Sequence, residues 1–304
     1  MNIAGGVINL TDFLQLSFNG LAIGSIYAII ALGFIFSVNS VKIVNLAHGE
    51  LLMVGAFFAV TAIEIFHLPV ILGYIVAILG SALFGYILNL TIFKPLVGKP
   101  FFSRLVVTMG LSMMLVNLAM NIWGPYPVKL SGPFTTDTFR VGDVAISNAN
   151  VLIIATLIVL LILLMLFYKK TLTGRQMRAM SEQPDAARLL GVPVRRLTTM
   201  TFMVAAGLAA VAGVLMGPIY FVNYTMGGVA LMKGFTAAII GGFGKVEGAV
   251  IGGITLGIAE TMLAAYVSTT FKDGFAFMAL VLILLIRPQG IFGESFSERI
   301  SSRN

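Results

Sequence analysis

The chain has 304 residues, 59% of them hydrophobic and only 10% charged, with 19 basic and 12 acidic side chains giving a formal net charge of +7. A soluble domain carries about 25% charged residues, and the mean hydropathy here is +1.02. A soluble enzyme, a disordered tail and a secreted disulfide-stapled domain are therefore excluded, and the lack of cysteine removes cysteine-ligated metal or haem as well.

A bilayer crossing needs about 20 apolar residues, and runs of that length recur from Phe13 to Ile286. The expectation is an all-α polytopic membrane protein. Residues 1–12 contain no Lys or Arg, so the basic start of a signal peptide is missing. The apolar run 13–38 that follows extends to about 39 Å as a helix and reads as the first span. Further spans are predicted at 48–66, 69–93, 101–123, 149–168, 198–221, 247–268 and 274–286. A shorter apolar piece, 230–242, is too brief to cross and reads as a broken or re-entrant segment. The total is about 8–10 transmembrane helices.

Basic residues set the orientation. Lys94, Lys99 and Arg104 share one short loop; Lys169, Lys170, Arg175, Arg178, Arg188, Arg195 and Arg196 crowd another; Arg287, Arg299 and Arg303 lie in the tail. All three groups fall on one side, the cytoplasmic one, if 230–242 counts as a half-span. The C-terminus is then cytoplasmic, and the 124–148 loop is extracytoplasmic and structured. This placement assigns the positive charge to membrane orientation and lipid headgroups, with no nucleic acid partner.

Small residues recur at every fourth position, as in Gly20, Gly24 and Ala28, in Gly213 and Gly217, in Gly244, Gly248 and Gly252, and in Gly253 and Gly257. Such stripes let membrane helices approach closely. A faint echo joins the halves: Gly20-Leu21-Ala22 and Gly207-Leu208-Ala209 are each followed by an Ile-Tyr pair and a glycine-bearing interruption. Alone it does not establish a repeat.

Four segments bear on chemistry. In the basic loop 169–197, residues 181–190 read as one short helix, with Ser181 as N-cap, Pro184 early and Gly191 as the stop. Ala186, Leu189 and Leu190 form its apolar face, and Glu182 and Asp185 lie near its positive end. It is either an interfacial helix on acidic headgroups or a docking element for a cytoplasmic partner. The second segment, Asn45 to Glu50, puts His48 and Glu50 at the start of a span, where Asn45 is expected to cap the helix and Glu50 to complement its dipole. No metal site is expected, since the only other histidine is His67. Third, Glu260 has no charged neighbour in its own span and is either a coupling proton site or a structural hydrogen-bonding group. Fourth, the run Gly241 to Gly248 fails as a phosphate loop, with Ile239 and Val246 where Gly and Ser or Thr belong. It fails as a dinucleotide fingerprint too, with Glu247 at the third glycine, and reads as a tight turn.

Several runs resemble one family in order along nearly the whole chain. They are Asn19-Gly20 with Gly24 to Ala28, Asn45 to Glu50, Lys233 to Ala238, Gly241 to Gly244, Gly252-Gly253 with Gly257 to Glu260, and Arg287 to Ile291. The chain resembles the membrane permease subunits of high-affinity branched-chain amino acid ABC importers. Those permeases carry Glu-Ala-Ala, three residues, then Gly on the coupling helix that fits the ATPase; Asp185-Ala186-Ala187 and Gly191 have that spacing here, with Asp for Glu.

The resemblance implies an ABC importer permease fold over 1–304 as a single transmembrane domain, with a cytoplasmic coupling loop at about 169–197, in a bacterial inner membrane. It implies ATPase coupling through Glu182, Asp185, Ala186, Ala187, Leu190 and Gly191. The implied partners are a second, homologous permease, two cytoplasmic ABC ATPase subunits and a periplasmic substrate-binding protein. ATP and magnesium would sit on the ATPases, with no cofactor on this chain and no catalytic residues. Candidate pathway residues are Asn45, His48, Glu50, Asn223, Tyr224, Gly241, Gly242 and Glu260. The same permease type serves urea, short-chain amides and some aromatic or dicarboxylic acids. Outside the family, a stand-alone secondary transporter carrying a proton on Glu260, or a non-transporting scaffold, would fit the hydropathy. The coupling pattern and the lack of paired intramembrane charges favour the importer.

Overall fold

The computed structural model describes residues 10–41, 44–133, 138–141, 144–242, 244–287 and 290–291. Residues 1–9, Phe243 of the glycine-rich run, Pro288 and Gln289, and the tail arginines Arg299 and Arg303 lie outside the described residues. Each predicted span has its helix. In chain order these are α1 (Leu10–Val41), α2 (His48–Val60), α3 (Val70–Leu88), the short α4 (Lys94–Leu96) and α5 (Phe101–Trp123). After a two-stranded hairpin of β1 (Thr138–Val141) and β2 (Val144–Ser147) come α6 (Asn148–Lys170), α7 (Leu172–Glu182) and α8 (Pro184–Leu189). The chain ends in α9 (Val194–Tyr220), α10 (Met226–Gly241), α11 (Val246–Tyr266) and α12 (Lys272–Ile286). π-Helical turns at Thr61–Ile65 and Asn89–Phe93 extend α2 and α3.

Among the described residues seven stretches are long and apolar enough to cross a membrane, which makes this a multi-pass membrane protein. Two helices fall short: α10 has 16 residues and α12 has 15. The short piece expected at 230–242 thus starts four residues earlier, at Met226, and the span expected from 198 starts at Val194.

Small residues decide which helices touch. A Cβ on Gly20 or Gly24 of α1 would strike the backbone of Ile258 or Ile254, and one on Gly253 or Gly257 of α11 would strike that of Ala28 or Gly24. The two glycine stripes therefore face one another, antiparallel, in a helix pair whose backbones touch. Dispersion between such closely set backbones is the main attraction available where lipid is as apolar as the protein. Gly213 of α9 meets Leu52 of α2, and Gly248 and Gly252 of α11 meet Gly241 and Ala237 of α10. The large apolar side chains of α3, α5, α6 and α12 point outward instead.

Helix direction defines two ends. At one end the start of α1 pairs with the start of α6, Asn150 donating to Asn19 at 2.7 Å, beside the hairpin. At the other, Phe36 lies 5.5 Å from Tyr168, and Asn39 donates to the carbonyl of Gly244 at 3.0 Å. Gly290 packs on Gly242, and Ile291 donates to the Ile240 carbonyl at 2.9 Å, bringing Arg287 to that same end. The α4–α5 turn with Lys94, Lys99 and Arg104 and the 171–193 loop lie there too, so the basic groups collect at one end as the sequence required. The 124–133 loop at the hairpin end is ordered: Val128 and Val222 exchange backbone hydrogen bonds of 2.8 Å in both directions.

The two halves form an inverted arrangement, although in a register other than that of the Gly-Leu-Ala echo, since Gly20 and Gly24 correspond to Phe202 and Ala206. From the hairpin end, α1 runs to the basic end, α2 starts inside the bundle and returns to the hairpin end, and α3 goes back. From the basic end, α9, α10 and α11 repeat this course upside down. Where α11 lies on α1, α3 lies on α9, with Gly85 against Ala206 and Phe202 as Gly257 is against Gly20 and Gly24. α2 has Gly49, Phe57 and Ala59, and α10 has Gly227, Phe235 and Ala237 at the same offsets of eight and ten residues. Such inverted repeats are common in transporters.

Candidate functional site

The loop between α6 and α9 is two helices, not one. Ser181 is not the N-cap residue of α8: it lies in the last turn of α7, where its hydroxyl donates to the Arg178 carbonyl at 2.9 Å. The chain breaks at Gln183, which adopts an extended backbone, and Pro184 then opens α8. The correction follows from Pro184, which cannot continue a helix past its own missing N–H. Glu182 consequently belongs to the end of α7 rather than to the positive end of α8. Thr171 caps α7, accepting from the Gly174 amide at 2.9 Å, and Met177 and Met180 bury against Leu197 to hold the pair on α9.

Gly191 ends α8 with φ +78°, a region that glycine enters freely. Asp185 and Arg188 pair at 3.3 Å on the surface. Ala187 is buried, while Leu189 and Leu190 stand 91% and 83% exposed. The apolar side chains at the end of α8 thus project from the basic end with none of the described residues over them.

The second cluster lies in the bundle interior. Asn45 is not the N-cap of α2; Ala47 is, and Asn45 shapes the preceding turn by accepting from the Ala47 amide at 3.0 Å. His48 is fully buried, with its ring edge-on to Phe34 at 6.0 Å and close beside Gly33. Glu50 reaches α5, where Ser112 donates to its Oε1 at 3.0 Å. Gly49 and Gly227 bring the first turns of α2 and α10 together backbone to backbone. Asn223 builds the turn ahead of α10, accepting from the amide and hydroxyl of Thr225 at 3.0 and 2.8 Å, and Tyr224 packs on the core.

Gly241 and Gly242 lie at the other end of α10, about 22 Å away, where Gly242 caps the helix with φ +106°. The predicted pathway residues therefore fall into three places rather than one line.

Glu260 is the third place, and it is not isolated. Lys233 of α10 lies 2.7 Å from its Oε1 and 2.7 Å from Oδ1 of the half-exposed Asp273 on α12. Tyr27 of α1 donates to Glu260 Oε2 at 3.0 Å, and the Lys233 ammonium sits 5.7 Å from the Tyr27 ring centroid. The side chains of Lys233 and Glu260 are only 3% and 8% exposed. The expected lack of paired intramembrane charges is thus overturned. Lys233 sits in the short helix and its partner lies 27 residues on in another, so no local sequence pattern pairs the two. A carboxylate held by an ammonium and a phenol is a fastening between α1, α10, α11 and α12. Among the described residues no group of three His, Asp or Glu side chains is placed to hold a metal ion.

A profile of the permease component of branched-chain amino acid transport systems matches residues 16–286. The chain is 34% identical over 304 residues to the high-affinity branched-chain amino acid transport system permease protein LivH of Salmonella typhimurium, covering 95% of this chain and 98% of that protein. It is also 34% identical over 301 residues to the permease protein BraD of Pseudomonas aeruginosa, with the same coverage of 95% and 98%. Among solved structures, PsaBC from Streptococcus pneumoniae in complex with Fab matches 96% of this chain and 95% of that one. Its TM-score is 0.51 at 14% identity, a likeness of fold alone.

Proposed function

We infer, for a chain that belongs to the family of branched-chain amino acid transport permeases, that it translocates branched-chain amino acids by alternating access as one permease subunit of an ATP-driven importer. The reading takes the basic end as cytoplasmic by the charge rule, which puts the C-terminus inside and the hairpin outside, in a bacterial inner membrane. ATP and magnesium belong to two ATPase subunits, since the glycine-rich turn of this chain lacks the residues that cradle phosphate. A second permease completes the membrane unit, and a periplasmic binding protein delivers the substrate.

The observation that carries the reading is α8. A short helix with two uncovered leucines, set between membrane helices at the basic end, suits insertion into a groove of a cytoplasmic subunit. Two apolar side chains left in water there are unfavourable by about 1.5–3 kcal/mol each relative to burial, so a docking partner is the natural cover. Ala187 is a poor probe, because its burial means that Ala187→Arg would disturb α8 itself. Leu190→Asp changes only the exposed tip. Its expected outcome is a loss of ATPase co-purification of tenfold or more from co-expressing cells, with an unchanged melting curve for the permease. Full retention of the ATPase would overturn the assignment.

A further inference from the structure

The junction where α2 and α10 begin has three properties that together describe a ligand site. Its depth is the first. Glu50 bonds to Ser112, the central residue of the 23-residue α5, so the junction lies near the middle of the bundle. The second is a pair of open helix starts. Neither Ala47 nor Thr225, the residues preceding α2 and α10, caps its helix with a side chain. The Met226 amide donates to the Asn223 carbonyl, and those of His48 and Glu50 to the Asn45 and Ala47 carbonyls; the other amides of the first turn have no carbonyl of their own helix to pair with, and they carry the positive end of the dipole. Gly227 and Gly228 supply that turn in α10, and around Gly228 a Cβ would find no atom within 4 Å.

The third property is an unmet carboxylate oxygen. Glu50 is 2% exposed, and among the described residues its Oε2 has no hydrogen-bond partner. That oxygen is directed at Gly227, since a Cβ there would run into it. The amide nitrogen of Asn45, 1% exposed at the residue level, is also without a partner. A polar group left so in a protein interior is costly unless something binds it.

We propose that this junction holds the α-amino acid zwitterion in transit, with Glu50 taking the α-ammonium and the first turn of α10 taking the α-carboxylate. The assignment rests on the importer reading above and adds the residues that grip the substrate. A bare anion is repelled by Glu50, and a bare amine leaves the α10 amides unmet. A zwitterion answers both, because its two charges are separated by one carbon, as Glu50 and the Gly227–Gly228 turn are adjacent. Entry requires that α5 shift, since this helix bears on the rest of the molecule mainly through α2, and that the Glu50 side chain turn from Gly227, against which it packs.

The test uses the complete importer, with ATPases, partner permease and binding protein, reconstituted in lipid vesicles and assayed for leucine uptake. Glu50→Gln keeps the size and the Ser112 contact but removes the charge. Uptake is expected to fall tenfold or more with the same subunits co-purifying, and Glu50→Asp to recover part of it. Uptake by Glu50→Gln within twofold of the unaltered complex overturns the site while leaving the importer reading intact. No uptake by the unaltered complex would instead sink the importer reading.

If Glu50→Gln fails to assemble, solid-state NMR on the unaltered complex decides. Dipolar coupling between ¹⁵N-leucine and a ¹³C-labelled Glu50 carboxyl is the expected result, and no coupling with leucine bound refutes the proposal.

Discussion

The two inverted halves share a backbone plan and differ in their charges. In the second half, Lys233 stands six residues past Gly227 and is fastened to Glu260, Asp273 and Tyr27. Six residues past Gly49 in the first half is Gly55, which packs directly on Ala210 with Ser81 beside it. Three residues after Gly257 comes Glu260; three after its counterpart Gly85 comes Leu88. One half is thus closed by contact between small residues, and the other is pinned by ions. The first half instead carries its charge at the junction, on Glu50, with one oxygen unmet. The comparison separates two uses of a buried charge. A satisfied cluster fixes helices in place, and an unsatisfied group is available to a ligand.

Making the second half resemble the first should have the largest effect on stability. Lys233→Met leaves Glu260 buried without its cation, and breaking a buried pair in this way costs about 3–5 kcal/mol. Adding Glu260→Leu, the residue of the first half, should recover most of that loss, because an apolar replacement of both partners is often neutral. Asp273 can turn to water in the double variant, being half-exposed already. Steric-trap unfolding in bicelles reads both values. Equal losses in the single and double variants would show that the cluster contributes nothing beyond packing.

Backbone contact should rank next. Gly24→Val pushes atoms into the Ile254 Cα and the Gly253 carbonyl, neither of which can rotate away, so a loss near 3 kcal/mol is expected. Gly80→Ala meets only the ring of Phe58, with its nearest atom at 3.2 Å. That ring can give slightly, and a change within about 1 kcal/mol is expected. Similar losses at the two positions would mean that the stripes between α1 and α11 are not what holds these helices. The same unfolding measurement decides.

Much of this was legible in the residues because one interaction dominates. Hydropathy marked every span, and the period-four glycines marked the close-packed faces, except at Gly244, which lies in the turn before α11 with φ +100°. The basic loops also fell on one end as their parity required. What stayed hidden is what depends on partners distant in sequence. No local signal says that the Gly20–Gly24 stripe chooses the Gly253–Gly257 stripe over those of α9 or α10. Lys233 lay within a short apolar piece, where a single charge looks like a helix end, and Glu260 therefore looked solitary. Ser181 has the pattern of a cap, a serine three residues ahead of Pro184, yet α7 has enough buried contacts at Met177 and Met180 to extend through it. Asn45 has the chemistry of a cap and spends it on the preceding turn.

The smallest effect tests how the outer helices are tied to the paired halves. α6 turns most of its surface outward and packs on α1 through buried Ile153 and Leu157, with the Asn150 to Asn19 hydrogen bond near one end and the Phe36–Tyr168 ring contact near the other. Hydrogen bonds between membrane helices average about 0.6 kcal/mol, because the separated helices find other partners. Asn150→Ala should therefore lower stability by roughly that amount, well below either change in the core. The telling measurement is a spin-label distance between the starts of α1 and α6, which should broaden while the distance near Phe36 and Tyr168 stays sharp. Broadening at both ends would mean that the single hydrogen bond sets the position of the whole helix, and that α6 rests on the inverted core with almost no packing energy of its own.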